Sequence, residues 1–163
     1  MKLPLEGIRV CDLSGHASGP MCAMILGDFG AEVIKVEAPR GDHARSWGSA
    51  RFGKKMDLSS EYAALNRNKE SIVIDLKNAE GLTLCKQIIE KSDVVRENFK
   101  PGVLARLGLG FEVIEKLNPR AVLTIVTNCR CRSGSWRKPK DSRPTVAALG
   151  LTQLLLCLAC HLH

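Results

Sequence analysis

Short apolar runs alternate with segments of helical spacing over the first 120 residues of the 163-residue chain. The runs are rich in Val and Ile and are bounded by Gly, Pro or Asn, which is typical of strands. Strands are therefore predicted at residues 8–13, 32–36, 71–76 and 93–97. Apolar residues at three- and four-residue steps, or a Pro near the start, predict helices at residues 20–29, 79–91 and 111–117.

This alternation predicts the fold class. Strands joined through helices run parallel, so we expect an α/β protein with a Rossmann-like parallel sheet and flanking helices. The sheet is expected to be incomplete and to be followed by an irregular C-terminal tail. Ligands in such sheets bind beyond the carboxyl ends of the strands. The candidate functional segments are therefore the loops at residues 14–19, 37–47, 77–79 and 97–102.

The first two loops carry groups that suit phosphate. The stretch LSGHASGP leads into a helix, whose N-terminus attracts anions, but the spacing of Gly15 and Gly19 does not match the dinucleotide fingerprint. A tight turn is the preferred interpretation of that loop alone. In the second loop Arg40 and Arg45 could bind phosphate esters, with a solvated charged loop as the alternative. His43 has no partner at a metal-binding spacing, so no metal site is predicted.

The last loop, ENFKPG, places Phe99 at a strand end among basic residues. An aromatic ring in that setting suits an adenine with its phosphates. The alternative is that Phe99 is a core side chain beneath the turn.

Charge and cysteine content narrow the function classes. The first 120 residues hold 18 Lys and Arg against 16 Asp and Glu, whereas the remaining 43 hold 6 against 1, so most of the net charge of +7 lies at the end of the chain. No basic stripe with base-reading side chains is apparent in the first part, so no specific nucleic-acid partner is expected. The longest late apolar run, residues 149–159, is too short to span a bilayer. With no leader-like segment expected, a reducing, cytoplasmic location fits the seven cysteines best.

Three motifs together resemble one family. They are G-P…L-G-D-x-G-A-x-V-I-K-V-E, N-x-N-K-x-S and E-N-F-x-P-G, which span residues 4–120 almost without a gap. The chain is similar to the N-terminal part of the class III coenzyme A transferases (the CaiB/BaiF type), which include formyl-CoA transferase and α-methylacyl-CoA racemase. The resemblance implies a Rossmann-like large domain, a smaller second domain and interlocked homodimers, although we do not expect this shorter chain to form the dimer.

The resemblance also implies a function and a binding site. The function is transfer of coenzyme A between an acyl-CoA and a carboxylic acid, with CoA as substrate and no permanently bound cofactor or metal. The alternatives are a racemase-like fragment and a non-catalytic module that binds CoA or another nucleotide. Family positions that contact CoA correspond here to Ala17, Ser18, Ile74, Asp75, Leu76, Lys77, Asn98, Phe99, Lys100 and Arg106, with Arg40 as a substitute for a basic residue that the family often has where this chain has Ala38.

Other features depart from the family. Family members with His and Gln in the first loop use them near the thioester, but those positions are Gly15 and Ala17 here, and His16 is one step out of register. The family's catalytic Asp lies later in the chain, in a Gly-Tyr-Asp-like context. The only acid after Glu115 is Asp141, which lacks that context, so we expect no catalytic residue in this chain and no activity of the chain alone.

The last part, residues 121–163, is interpreted as a basic, Cys-rich tail that does not continue the family pattern after Arg120. A shifted reading frame would explain this change. One possible set of codons for residues 134–139, read in a frame shifted back by one base, encodes Gln-Leu-Ala-Glu-Thr, which is a plausible continuation of the family pattern. The alternatives are a haem-attachment match at CLACH, a zinc site of the tail's Cys and His, and non-specific nucleic-acid contact by residues 130–143. Chance matches in a solvated tail are preferred to all three.

Overall fold

The computed structural model describes residues 2–53 and 58–125. The five main strands are β1 (Arg9–Asp12), β2 (Glu32–Glu37), β5 (Lys69–Val73), β6 (Val94–Glu97) and β7 (Val122–Ile125). A short antiparallel pair is formed by β3 (Arg51–Phe52) and β4 (Leu58–Ser59). The helices are α1 (Ser18–Asp28), α2 (Ser60–Asn66), α3 (Ala79–Glu90), α4 (Val103–Arg106) and α5 (Phe111–Leu117), with a 3-10 turn at His43–Ser46.

The five main strands form one parallel sheet in the order β5-β2-β1-β6-β7. The chain moves outward in one direction from β1 to β2 and β5, and then in the other direction to β6 and β7. The order therefore reverses between β1 and β6, and this reversal is where open α/β sheets form a ligand crevice. The predicted fold class is confirmed.

The two faces of the sheet are covered by different material. On the apolar face, covered by α3, α4 and α5, eleven buried hydrophobic residues form one cluster that includes Cys11, Ile89, Val95, Leu109 and Leu123. On the charged face, covered by α1 and α2, the buried apolar cluster is smaller: Val10, Ala23, Ala31 and Val33. Polar side chains occupy the rest of the charged face, toward the carboxyl ends of the strands.

Several predicted boundaries are wrong in detail. The strand expected at residues 71–76 ends at Val73, because its last ladder bond is donated by the Ile74 amide to the Glu37 carbonyl, 2.8 Å away. The chain then turns, with the Lys77 amide donating to Asp75 Oδ1. The helix expected to begin at Pro20 begins at Ser18, after the N-cap residue Ala17.

The sheet continues past Arg120, where the family pattern was expected to end. β7 pairs with β6 in parallel register, from Val94 opposite Val122 to Glu97 opposite Ile125. Residues 122–125 are therefore part of the sheet, although the tail was predicted to begin at residue 121. The interpretations of the later tail, including Asp141 and the Cys and His pattern, lie outside the described residues. No helix among the described residues is long and apolar enough to cross a bilayer.

Candidate functional site

A cleft of about 940 Å³ lies at the carboxyl edge of the sheet, where the loops after β1, β2, β5 and β6 meet. We call it the strand-end cleft. The loops after β1 and β2 lead to the charged face and supply one wall, which carries His16 and His43. The loops after β5 and β6 lead to the apolar face and supply the other wall, which carries Lys77 and Lys100. We call these the imidazole wall and the lysine wall.

Asn98 joins the two loops on either side of the strand reversal. Its Oδ1 accepts from the Gly15 amide at 2.9 Å, and its Nδ2 donates to the Gly15 carbonyl at 2.7 Å. Close packing at this point requires Gly19, because a Cβ there would lie 2.3 Å from the Ser14 Cβ. The start of α1 is thereby held directly against the end of β1.

A row of polar residues crosses the charged face, one from each strand of the sheet. In register order they are Ser71, Lys35, Asp12, Arg96 and Thr124. Asp12, Lys35 and Arg96 are each at most 1% exposed. Charged side chains are almost never this buried unless they are paired, so their partners determine whether the site is stable.

The Asp12 carboxylate is held by two neighbours. Oδ2 accepts from Lys69 Nζ at 3.0 Å, while Oδ1 accepts from the amide and the hydroxyl of Ser14. Lys69 also donates to the Pro20 carbonyl at 2.8 Å and to Asn66 Oδ1 at 3.0 Å, so all three of its protons are used. Burial lowers the pKa of Lys69, and the charge and hydrogen bond of Asp12 partly offset that effect.

Arg96 braces the start of α1 from the same row. Its Nε donates to the Gly19 carbonyl at 2.9 Å, and one terminal nitrogen donates to Thr124 Oγ1 at 3.2 Å. The other terminal nitrogen has no partner within the part of the chain that the structure describes. With Lys69, Arg96 places two cations against carbonyls of the first turn of α1, which fixes how this helix leaves the cleft.

Lys35 and Asp42 form a buried ion pair in the floor of the cleft. Lys35 Nζ lies 2.9 Å from Asp42 Oδ2, and the two side chains are 1% and 2% exposed. Lys35 Nζ also donates to the Ser14 carbonyl at 2.8 Å. Burial alone would raise the pKa of Asp42, but the Ala44 amide, Lys35 and the His16 amide together lower it.

Glu37 is the hub that holds the second loop. Its carboxylate, 3% exposed, accepts from Arg45 at 2.7 Å, Tyr62 at 2.5 Å, Ser71 at 2.7 Å and the Asp42 amide at 2.9 Å. Burial would raise the pKa of Glu37, but these donors outweigh it and hold the pKa far below its usual range. Burial and the Glu37 carboxylate raise the pKa of Tyr62. The loop that follows β2 is therefore tied both to β5 and to α2.

The structure brings together ten of the eleven sequence-predicted site residues. Those that line the strand-end cleft are Ala17, Ser18, Arg40, Ile74, Asp75, Leu76, Lys77, Asn98, Phe99 and Lys100. Phe99 is partly buried against the apolar cluster, as the core alternative predicted, and it also lines the cleft, while its contact with adenine stays a prediction. Arg106 does not line the cleft. It is exposed at the end of α4, and its guanidinium lies close to Gly102, since a Cβ added at Gly102 would be 3.4 Å from it.

Sequence reasoning missed the buried charges beneath the cleft. Lys35, Asp42 and Glu37 were not among the predicted site residues, and Asn98 was predicted only as a CoA contact although its amide is engaged with Gly15. A signal was present. Strands of a parallel sheet covered on both faces read as continuous apolar runs, so the charges in I-K-V-E and V-V-R-E required buried partners. No group of three or more metal-ligating side chains occurs within residues 2–53 and 58–125.

Comparison with known proteins identifies the family. The model of CoA-transferase family III matches residues 5–149. The chain belongs to this family, as its motifs suggested. An acyl-CoA transferase of Fusarium pseudograminearum is 44% identical over 152 residues, which is 88% of this chain and 33% of that protein. The human succinyl-CoA:glutarate CoA-transferase is 42% identical over 125 residues, covering 76% of this chain and 28% of that protein.

Solved structures agree with this assignment. A CAIB/BAIF family protein from Brucella suis superposes with a TM-score of 0.73 at 36% identity, covering 77% of this chain and 33% of that chain. The family match extends beyond Arg120, in agreement with the presence of β7. The chain spans about a third of the length of these relatives.

Proposed function

We propose that this chain supplies the CoA-binding part of a CoA transferase, an enzyme that moves coenzyme A between an acyl-CoA and a carboxylic acid. One observation carries the proposal: ten residues predicted to contact CoA converge on one cleft at the strand reversal. The relatives at 44% and 42% identity are named as transferases, which favours transfer over the racemase alternative. A cytoplasmic location stays a prediction.

The lysine wall suits the nucleotide end of CoA. Lys77 and Lys100 are exposed side chains on the two loops of that wall, and Phe99, next to Lys100, offers a ring on which adenine can stack. Ile74 and Leu76 add apolar surface beside it. A charged diphosphate with a flat, apolar base matches that combination of side chains.

The reaction itself needs a nucleophile or a positioned acid. Transfer breaks the C–S bond of one thioester and forms another C–S bond, so electrons balance without an oxidant or reductant. Within the described residues three carboxylates line the cleft: Glu37, Asp42 and Asp75. All three are engaged, since Glu37 accepts from Arg45, Tyr62 and Ser71, Asp42 is ion-paired, and Asp75 accepts from the Lys77 amide. We propose that the reacting carboxylate comes from another segment of the complete enzyme, and that the interlocked dimer requires that segment too.

Calorimetric titration of the 163-residue chain with CoA tests the binding proposal. We expect binding that weakens with salt, and each of the changes Lys77→Ala and Lys100→Ala should weaken it about tenfold, as loss of one charge-assisted hydrogen bond predicts. Lys91→Ala is the matched control, because Lys91 is an exposed lysine at the C-cap of α3, away from the cleft. Equal affinities for all four chains, or no binding of CoA, would reject the proposal.

A further inference from the structure

Two histidines meet face to face on the imidazole wall. The ring centroids of His16 and His43 are 5.1 Å apart with an interplanar angle of 29°, and Trp47 lies 6.2 Å from His16 on a tilted plane. Both histidines line the cleft and are exposed. They come from different loops, after β1 and after β2, so their meeting depends on the tertiary structure.

One buried carboxylate holds the backbone of the two loops that carry the histidines. Asp42 Oδ1 accepts from the His16 amide at 3.1 Å and from the Ala44 amide at 3.0 Å, and the second bond caps the turn that begins at His43. The His16 backbone has φ of 66°, a left-handed conformation that is uncommon for a residue with a side chain. Such conformations persist only where the surrounding structure over-determines them, and they cluster at ligand sites.

The chemistry of the pair suits a carboxylate. Every imidazole presents at least one N–H donor, and a carboxylate has two oxygens that can each accept a hydrogen bond. Behind the rings, the charge of Asp42 is balanced by Lys35, so the floor adds no net charge. Arg40 on the same wall adds a cation. A singly charged carboxylate matches this environment better than a doubly charged phosphate, for which the two lysines of the opposite wall are the stronger attraction.

We propose that His16 and His43 form a clamp for the free carboxylate of a small dicarboxylic acid, either as the acceptor acid or as its acyl group on CoA. This inference rests on the proposed function and assigns the two histidines a substrate-positioning role within it. The clamp orients one end of the diacid and leaves the other end at the cleft, where CoA is exchanged.

Histidine side-chain NMR of the full chain tests the clamp with glutarate as the probe. The chain has four histidines, so a background carrying His161→Ala and His163→Ala leaves only the His16 and His43 signals. We expect glutarate to shift both signals with one shared Kd. Butyramide, which has no carboxylate, should shift neither. If glutarate moves neither signal, or if butyramide moves both equally, the clamp is rejected.

Two substitutions provide the second measurement. His16→Asn keeps a residue that tolerates the left-handed backbone, and His43→Gln keeps a side chain of similar reach; each should weaken glutarate binding about tenfold. Backbone spectra check folding, and the wild-type titration decides the question even if a variant unfolds. Binding of CoA by the parent chain is measured separately. If the parent chain binds CoA but not glutarate, only the clamp proposal is rejected. If the parent chain does not bind CoA, the proposed function is rejected.

Discussion

The two faces of the sheet bury different kinds of side chain. The apolar face buries one continuous cluster, including Ile89, Val95 and Leu109, that are each fully buried. The charged face buries Asp12, Lys35 and Arg96 beneath α1 instead. Burying apolar area stabilises the fold, at about 25 cal/mol per Å², whereas a buried ion pair contributes little net stability and is costly to break.

The comparison assigns a role to the charged face. Its buried cations donate to the backbone carbonyls of Ser14, Gly19 and Pro20, which belong to the cleft's first loop and the start of α1. Within residues 2–53 and 58–125, no side chain of the apolar cluster donates a hydrogen bond to that loop. We infer that the apolar face stabilises the sheet and that the charged face fixes the positions of the ligand-binding loops. The following predictions test that division.

The largest effect is expected from breaking a buried pair. Lys69→Met leaves the Asp12 carboxylate buried without its cation, so the free energy of unfolding should fall by about 3–5 kcal/mol, measured by urea denaturation. Arg9→Met is the control, since the Arg9–Glu32 pair is 36% and 48% exposed and should contribute less than about 1 kcal/mol. Similar losses of unfolding free energy in the two variants would contradict the expectation that the buried ion pair matters more than the exposed one.

Truncation on the apolar face should affect stability without affecting binding. Ile89→Ala creates a cavity at a fully buried position, and we expect a loss of about 3 kcal/mol. The Kd for CoA, measured at a temperature where the variant remains folded, should change less than about twofold. A tenfold change in Kd would contradict the division between the two faces.

Glu37 provides a pH test of the charged face. Because the folded pKa of Glu37 is lowered, its carboxylate stabilises the protein above the unfolded value of about 4.3 and loses that contribution as pH falls through the folded pKa. Glu37→Gln should therefore cost about 1–3 kcal/mol at pH 7, and the difference from wild type should shrink in acid. The exposed Glu70 is the control: Glu70→Gln should change stability by less than about 0.5 kcal/mol. A pH-independent difference would exclude the carboxylate's charge as the cause.

The smallest expected effect is a gain in stability when Glu97 is replaced. Burial raises the pKa of this carboxyl, opposed by the Phe99 amide that donates to it at 2.6 Å. The ionised form is therefore penalised above the folded pKa, and the penalty disappears below the unfolded value of about 4.3. Glu97→Gln keeps an acceptor for Phe99 and should add about 0.5 kcal/mol near pH 7, with no gain in acid. A loss of stability at neutral pH would contradict this account.

Periodicity was sufficient to predict the parallel sheet and the cleft. Alternating strands and helices lead to strand-end loops that meet at one edge, so residues as distant in sequence as Ser18 and Lys100 could be grouped. The ends of the strands were harder to predict. For example, β5 ends where Val73 pairs with Glu37, and no local pattern in the sequence indicates that pairing. The Lys35–Asp42 pair and the His16–His43 stack depend on loops brought together by the fold, which spacing along the chain does not reveal.

The reciprocal bonds between Asn98 and Gly15 limit what can replace this asparagine. Gly15 offers one donor and one acceptor side by side, and only a short side-chain amide presents the complementary pair at that reach. Aspartate would set an anion against the carbonyl, and glutamine would be one methylene too long. The spacing of the loops after β1 and β6 therefore depends on the side-chain amide of Asn98.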